Sequence, residues 1–233
     1  MKKLLTFVLV CITCNLFSPK ANAQIDEGQL GAWYMYFWNT TFKDGPWGLQ
    51  GDVQHRNWNF GGDLEQLLLR GGLTYVPNNT KVKLTLGYGN ITTGAFGDSK
   101  NTTSESRIYQ EALLPQKIGK RIHLTHRFRY EQRFVENQDF RTRWRYNLFV
   151  NVLLNKMEME KGTFYLAFYN ELFINGEREI GDGREVEVFD RNRRYTALGY
   201  CLENTLRIQL GFMEQATDNW TKGQMQLSVH HKF

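Results

Sequence analysis

Cysteine is nearly absent from this chain, and so is any apolar run beyond the N-terminus that could cross a membrane as a helix. Two of the three cysteines, Cys11 and Cys14, lie in the leader described below. Only Cys201 would remain after its removal, so no intramolecular disulfide can form. After residue 23 no stretch approaches the roughly 18 apolar residues of a membrane helix, and mean hydropathy is −0.51. A strong charge of one sign is missing too. The formal net charge is +5, and Lys2, Lys3 and Lys20 of the leader, unopposed by acid, account for three of those charges. The remaining +2 gives no reason to expect nucleic acid as a partner. No G-x-S-x-G motif, metal-ligand spacing or cofactor motif occurs.

What is present begins with a leader. Lys2 and Lys3, an apolar run over 4–17 and Ala21-Asn22-Ala23 read as a secretory signal, cleaved after Ala23, with a single domain over 24–233. Val10 and Thr13 precede the two leader cysteines where lipoprotein processing wants Gly, Ala or Ser, which argues against lipidation.

From Trp47 onward, strand and connection repeat about every twenty residues, with period-two alternation in nearly every segment. Strands are expected over 49–58, 66–76, 81–90, 107–114 (weakly alternating), 121–134, 140–154, 164–175, 191–202, 206–215 and 224–233. Over 121–134, Ile122, Leu124, His126, Phe128, Tyr130 and Phe134 oppose Arg121, His123, Thr125, Arg127, Arg129, Glu131 and Arg133. A soluble β-protein would not bury the second set as a core. The pattern predicts an all-β, closed antiparallel transmembrane barrel, a meander of about 10–12 strands in the bacterial outer membrane. Trp58, Trp144, Tyr75, Tyr88, Tyr130, Tyr146 and Tyr200 would form its aromatic belt. Phe233, ending a strictly alternating strand, would be the signal read by the barrel-insertion machinery. Short connections (77–80, 116–120, 203–205) alternate with long polar ones (92–103, 176–187, 216–223), the contrast expected between periplasmic turns and external loops, and 155–161 is a long exception. Segment 29–42 carries aromatics on both faces and fits a sheltered strand, a lumen plug or a shifted register.

The motifs LGAWYMYF, GDLEQLLLR, YQEALLPQKIG, HRFRYEQRF, FRTRWRYNL, YNELFIN, FDRNRRY and LRIQLGFMEQ follow one another in this order. In that order the chain resembles an uncharacterised barrel family of Bacteroidetes, the domain of unknown function numbered twenty-four ninety. The resemblance implies an outer-membrane barrel and carries no catalytic residue.

The sharpest constellation is an arginine wall: Arg127, Arg129 and Arg133 on one strand, Arg141, Arg143 and Arg145 on the next, extended by Arg70, Arg107, Arg191, Arg193 and Arg207. Asp52, Glu111, Glu131 and Glu171 are the inward carboxylates, Glu171 being expected ionised and held bidentately. The wall either braces the lumen by Arg and carboxylate pairing, with Tyr109, Tyr165 and Tyr169 filling gaps, or attracts small anionic solutes to a porin-like path. The function expected is thus structural and accessory, or passage of such solutes. A lipid-modifying enzyme using Ser228 and His230, two apart on one face, is the alternative. The pair is expected inside, near the periplasmic rim and away from outer-leaflet lipid, so an enzyme is not the expected reading. His230 and His231 face opposite sides and cannot share a metal. The 177–187 acidic cluster reads as a solvated loop.

Overall fold

The computed structural model describes residues 25–233 apart from residue 44. The signal expected over 1–23 therefore lies outside the described residues. Within them the chain is all strand: β1 (Gly31–Thr41), β2 (Trp47–Asn57), β3 (Leu64–Tyr75), β4 (Lys83–Gly94), β5 (Thr102–Ile118), β6 (Ile122–Val135), β7 (Arg141–Leu153), β8 (Phe164–Asn175), β9 (Phe189–Cys201), β10 (Leu206–Ala216) and β11 (Thr221–Lys232). Among the described residues no helix is long and apolar enough to cross a membrane.

Successive strands pair antiparallel as a meander, and β1 closes the barrel against β11. Eleven is odd, so the first and last strands run the same way. Their seam is accordingly parallel, from Gly31 opposite Gln224 to Asn39 opposite Lys232. The expectation of a purely antiparallel barrel is corrected at this one pair, and segment 29–42 is a wall strand rather than a plug. Its double-faced aromatics then make sense: Trp33, Met35 and Phe37 point inward beside Gln226, Ser228 and His230, while Tyr34, Tyr36 and Trp38 point outward.

We call the rim bearing the 176–188 loop the upper rim and the opposite one, where β11 ends, the lower rim. The contrast in connection length is milder than the sequence suggests. Hydrogen-bonded pairing carries β4 and β5 into the loop expected over 92–103, from Gly94 opposite Thr102, and β5 extends to Ile118, opposite Ile122. At the lower rim, Lys117 pairs with Glu158 and Lys161 with Glu203. The Lys117 hydrogen bond holds the Glu158 carboxyl below its ordinary range, and Glu203 raises the Lys161 ammonium. Trp58 is a further correction. It is buried under the upper loops, donating to the Gly94 carbonyl at 3.2 Å and meeting Phe96 and Trp220 edge-on, so it is no part of an exposed belt.

Alternation sorts the faces. Leu86, Tyr88, Phe128, Trp144, Leu198 and Leu210 are more than half exposed or close to it on the outside. Inside, glycine and tyrosine interlock between neighbours: Gly87 is registered opposite Tyr109 and Gly199 opposite Tyr165. A Cβ on either glycine would strike the facing ring. This is how small barrels fill a lumen with large side chains.

Candidate functional site

Charge dominates the upper half of the lumen, and geometry pairs it. Glu105 of β5 accepts from Arg107 at 2.5 and 2.8 Å and from Arg133 of β6 at 2.6 and 2.9 Å. Glu131 accepts from Arg143 of β7 at 2.7 and 2.9 Å and from Arg145 at 2.6 Å, with Arg107 and Arg129 within 4 Å. Asp190 joins Arg143 at 2.8 Å to Arg191 at 3.1 Å. Below these, Glu171 of β8 takes Arg127 at 2.5 Å and also Arg145, while Glu111 takes Arg129 and Asp52 takes Arg70. Each carboxylate reaches another strand, Asp190 spanning from β9 past β8 to Arg143 of β7, so the ion pairs act as cross-struts. At such short range between buried side chains the pairing is strong, but burial also costs each ion hydration.

Two aromatic rings hold the guanidinium cluster together. Phe173, 1% exposed, lies under Arg143, Arg145, Arg191 and Arg193, with guanidinium carbons 4.4 to 6.0 Å from its centroid. Trp33 is sandwiched between Arg56 at 3.8 Å and Arg193 at 4.8 Å, and its indole N–H donates to Glu65 at 2.8 Å. Cation–π contact adds to the carboxylate pairing in holding these like charges together.

The expected wall residues Arg127, Arg129, Arg133, Arg141, Arg143, Arg145, Arg191 and Arg193 all face the lumen with Glu131 and Glu171. Three carboxylates escaped the sequence reading. Glu105 lies beyond the strand expected over 107–114, where β5 continues. Glu65 and Asp190 are bulge residues: Asn57 pairs with Leu64 and Arg56 with Gln66, skipping Glu65, and Ile174 pairs with Phe189 and Phe173 with Arg191, skipping Asp190. A bulge inserts one residue and shifts the phase, so strict alternation gives the wrong face there.

Beneath the paired layer lies a cavity of about 360 Å³. Its lining includes Asn39, Leu113, Thr125, Asn151 and Gln209 from the lower rim and none of Glu105, Arg133, Arg141, Asp190 or Lys222 from the upper. The cavity is thus a cup in the lower lumen, with the paired layer above it. Lys222 belongs to the upper layer, donating to the Asp26 and Gln29 carbonyls at 2.8 and 2.5 Å. Seven arginines line the cup against three carboxylates, Asp52, Glu111 and Glu171. Met35, Phe37, Phe149 and Tyr195 form an apolar stretch of its wall.

Ser228 and His230 also line the cup, 3.2 Å apart from Oγ to Nε2. The imidazole stacks on Phe37 at 4.9 Å, and among the described residues no carboxylate hydrogen-bonds to it. His231 faces outward against Tyr36 and Phe233. No group of three or more His, Cys, Asp or Glu side chains among the described residues could hold a metal ion.

A family model described as "Protein of unknown function (DUF2490)" matches residues 30–226. No curated protein and no solved structure matches the chain.

Proposed function

The chain belongs to the family described as Protein of unknown function (DUF2490), and for it we propose a structural or accessory barrel of the bacterial outer membrane, self-braced and sealed at its upper rim rather than open as a constitutive pore. One observation carries the reading: the polarity is inverted relative to a soluble protein. Glu131, Arg129, Arg143 and Glu171 are 1 to 6% exposed inside, while Leu86, Trp144 and Leu210 are 56 to 59% exposed outside. Exposing rows of Leu, Phe and Trp while burying ion pairs suits hydrocarbon outside and an enclosed polar lumen. Paired outer aromatics support it at two levels, Trp47 with Tyr75 and Phe164 with Tyr200 toward the lower rim, Tyr130 with Trp144 toward the upper. On this reading the upper rim is extracellular and the lower periplasmic, lipid is the principal partner, and the exposed Phe233 is what the insertion machinery grips.

Passage of small anionic solutes is the second reading, favoured by the arginine excess along the cup, and it requires the upper layer to part. Planar-bilayer recording separates the two. The purified barrel should show no steady conductance, and Glu105→Gln with Glu131→Gln, which strands the guanidiniums of the seal, should produce one. Steady conductance of the unmodified protein would remove the sealed reading in favour of passage.

A further inference from the structure

The cup contains donors and acceptors that the barrel itself leaves unused. Arg127 Nε, Arg129 Nη1 and Asn147 Oδ1 are buried without a hydrogen-bond partner among the described residues. All three side chains line the same cavity, and Arg129 and Asn147 are 6% and 2% exposed. Leaving a buried polar atom without a partner is costly. Arg127 Nε and Arg129 Nη1 lie 3.9 and 3.8 Å from Glu111 and Glu131, too far for hydrogen bonds, so a polar ligand beside these side chains has donors and an acceptor to engage. Arg207, farther down the wall, makes no ion pair among the described residues and lines the void as well. The ion pairing within the cup, Arg70 with Asp52, Arg129 with Glu111 and Arg127 with Glu171, therefore leaves Arg207 over.

The rest of the lining has different chemistry. Phe149 lies under the Arg127 guanidinium, 5.2 Å from its centroid, and Met35, Phe37 and Tyr195 continue the apolar surface. A cavity of about 360 Å³ is within the range of small-molecule sites, which combine an apolar lining with a few placed polar groups.

We propose that this cup is a binding site for a small amphiphilic acid, its carboxylate or phosphate held by Arg127 and Arg129 beside Asn147 and its apolar body against Phe149 and Phe37, entering from the lower rim. Arginine is suited to the acid group because its planar fork matches two oxygens. Asn147 adds an acceptor for a hydroxyl on the same ligand. The proposal rests on the sealed-cup reading above, since a cavity open at both rims would be a passage and not a site.

The test uses the full-length mature barrel refolded in a non-ionic detergent, with 2-naphthoate and its neutral counterpart 2-naphthamide as probes. Calorimetric titration is corrected with protein-free micelles. Naphthoate should bind saturably and about tenfold or more tighter than naphthamide, because the acid group carries the recognition. Arg127→Gln should remove most of that preference. Arg207→Gln, which breaks no ion pair and should leave folding intact, should weaken naphthoate severalfold. Arg194→Gln, which removes the same charge from the outer face, should change nothing. Equal affinity for the two probes, no saturable binding of naphthoate, or indifference to both Arg127→Gln and Arg207→Gln overturns the site. Conductance of the same preparation reports separately on the seal: a closed barrel that ignores naphthoate sinks the site alone, whereas an open channel sinks the seal whatever the probes do.

Discussion

At the scale of single residues, Glu131 is the group whose loss should cost most. It is 1% exposed and contacts Arg143 and Arg145 directly, with Arg107 and Arg129 just beyond. Glu131→Gln keeps the volume and removes the charge that offsets four guanidiniums. Removing one partner of a buried pair typically costs about 3–5 kcal/mol, and urea unfolding of the barrel in detergent should show a loss of that order. Lys161→Ala at the exposed Lys161–Glu203 pair should leave the unfolding midpoint where it was, because water already solvates both ends. A Glu131 variant as stable as the parent would mean that the struts are ornamental. Glu131, Glu111, Glu171 and Asp52 were legible from alternation because they lie in phase with their strands. Glu65 and Asp190 were not, since a bulge is set by the partner strand and leaves no mark in the local pattern. Phe173 and Trp33 were hidden for another reason: in a lumen of arginines an inward aromatic reads as a break in the pattern, yet it is the surface on which the guanidiniums stack.

At the scale of strands, two features can be tested by what they forbid. Gly87 and Gly199 leave room for the Tyr109 and Tyr165 rings of the neighbouring strand. Gly199→Ala should therefore destabilise the barrel by about 1–3 kcal/mol, the usual cost of overpacking, and adding Tyr165→Leu should recover part of it. If the double variant is no better than the single one, the pair is not interlocked. The closing seam is tested by its register, in which Tyr34 faces Leu227, both on the outer surface. In a Cys201→Ser background, cysteines at 34 and 227 should be joined by a short bis-thiol reagent, whereas cysteines at 34 and 231, roughly 13 Å apart along the strand, should not. Were segment 29–42 a plug, neither pair would link. The sequence alone left that segment open because a strand with aromatics on both faces has no outward phase to read. Only its two neighbours, polar β2 and polar-faced β11, tell which aromatics point inward.

At the scale of the whole molecule, the account rests on which surface meets hydrocarbon. The outer face carries the exposed apolar side chains and the lumen carries the charge, an arrangement already visible as period-two alternation in strands such as β6. The odd strand count and the seal were not visible there, because both depend on closure, a property of all eleven strands together. The direct measurement is tryptophan emission from the barrel in vesicles whose acyl chains carry bromine, in two variants that keep a single tryptophan and have phenylalanine at the other five positions. Trp144, 58% exposed on the outer face, should be strongly quenched relative to unbrominated lipid, and Trp33, 2% exposed in the lumen, should not. Equal quenching of the two, or a folded chain that stays in buffer and ignores the vesicles, would contradict the membrane barrel outright.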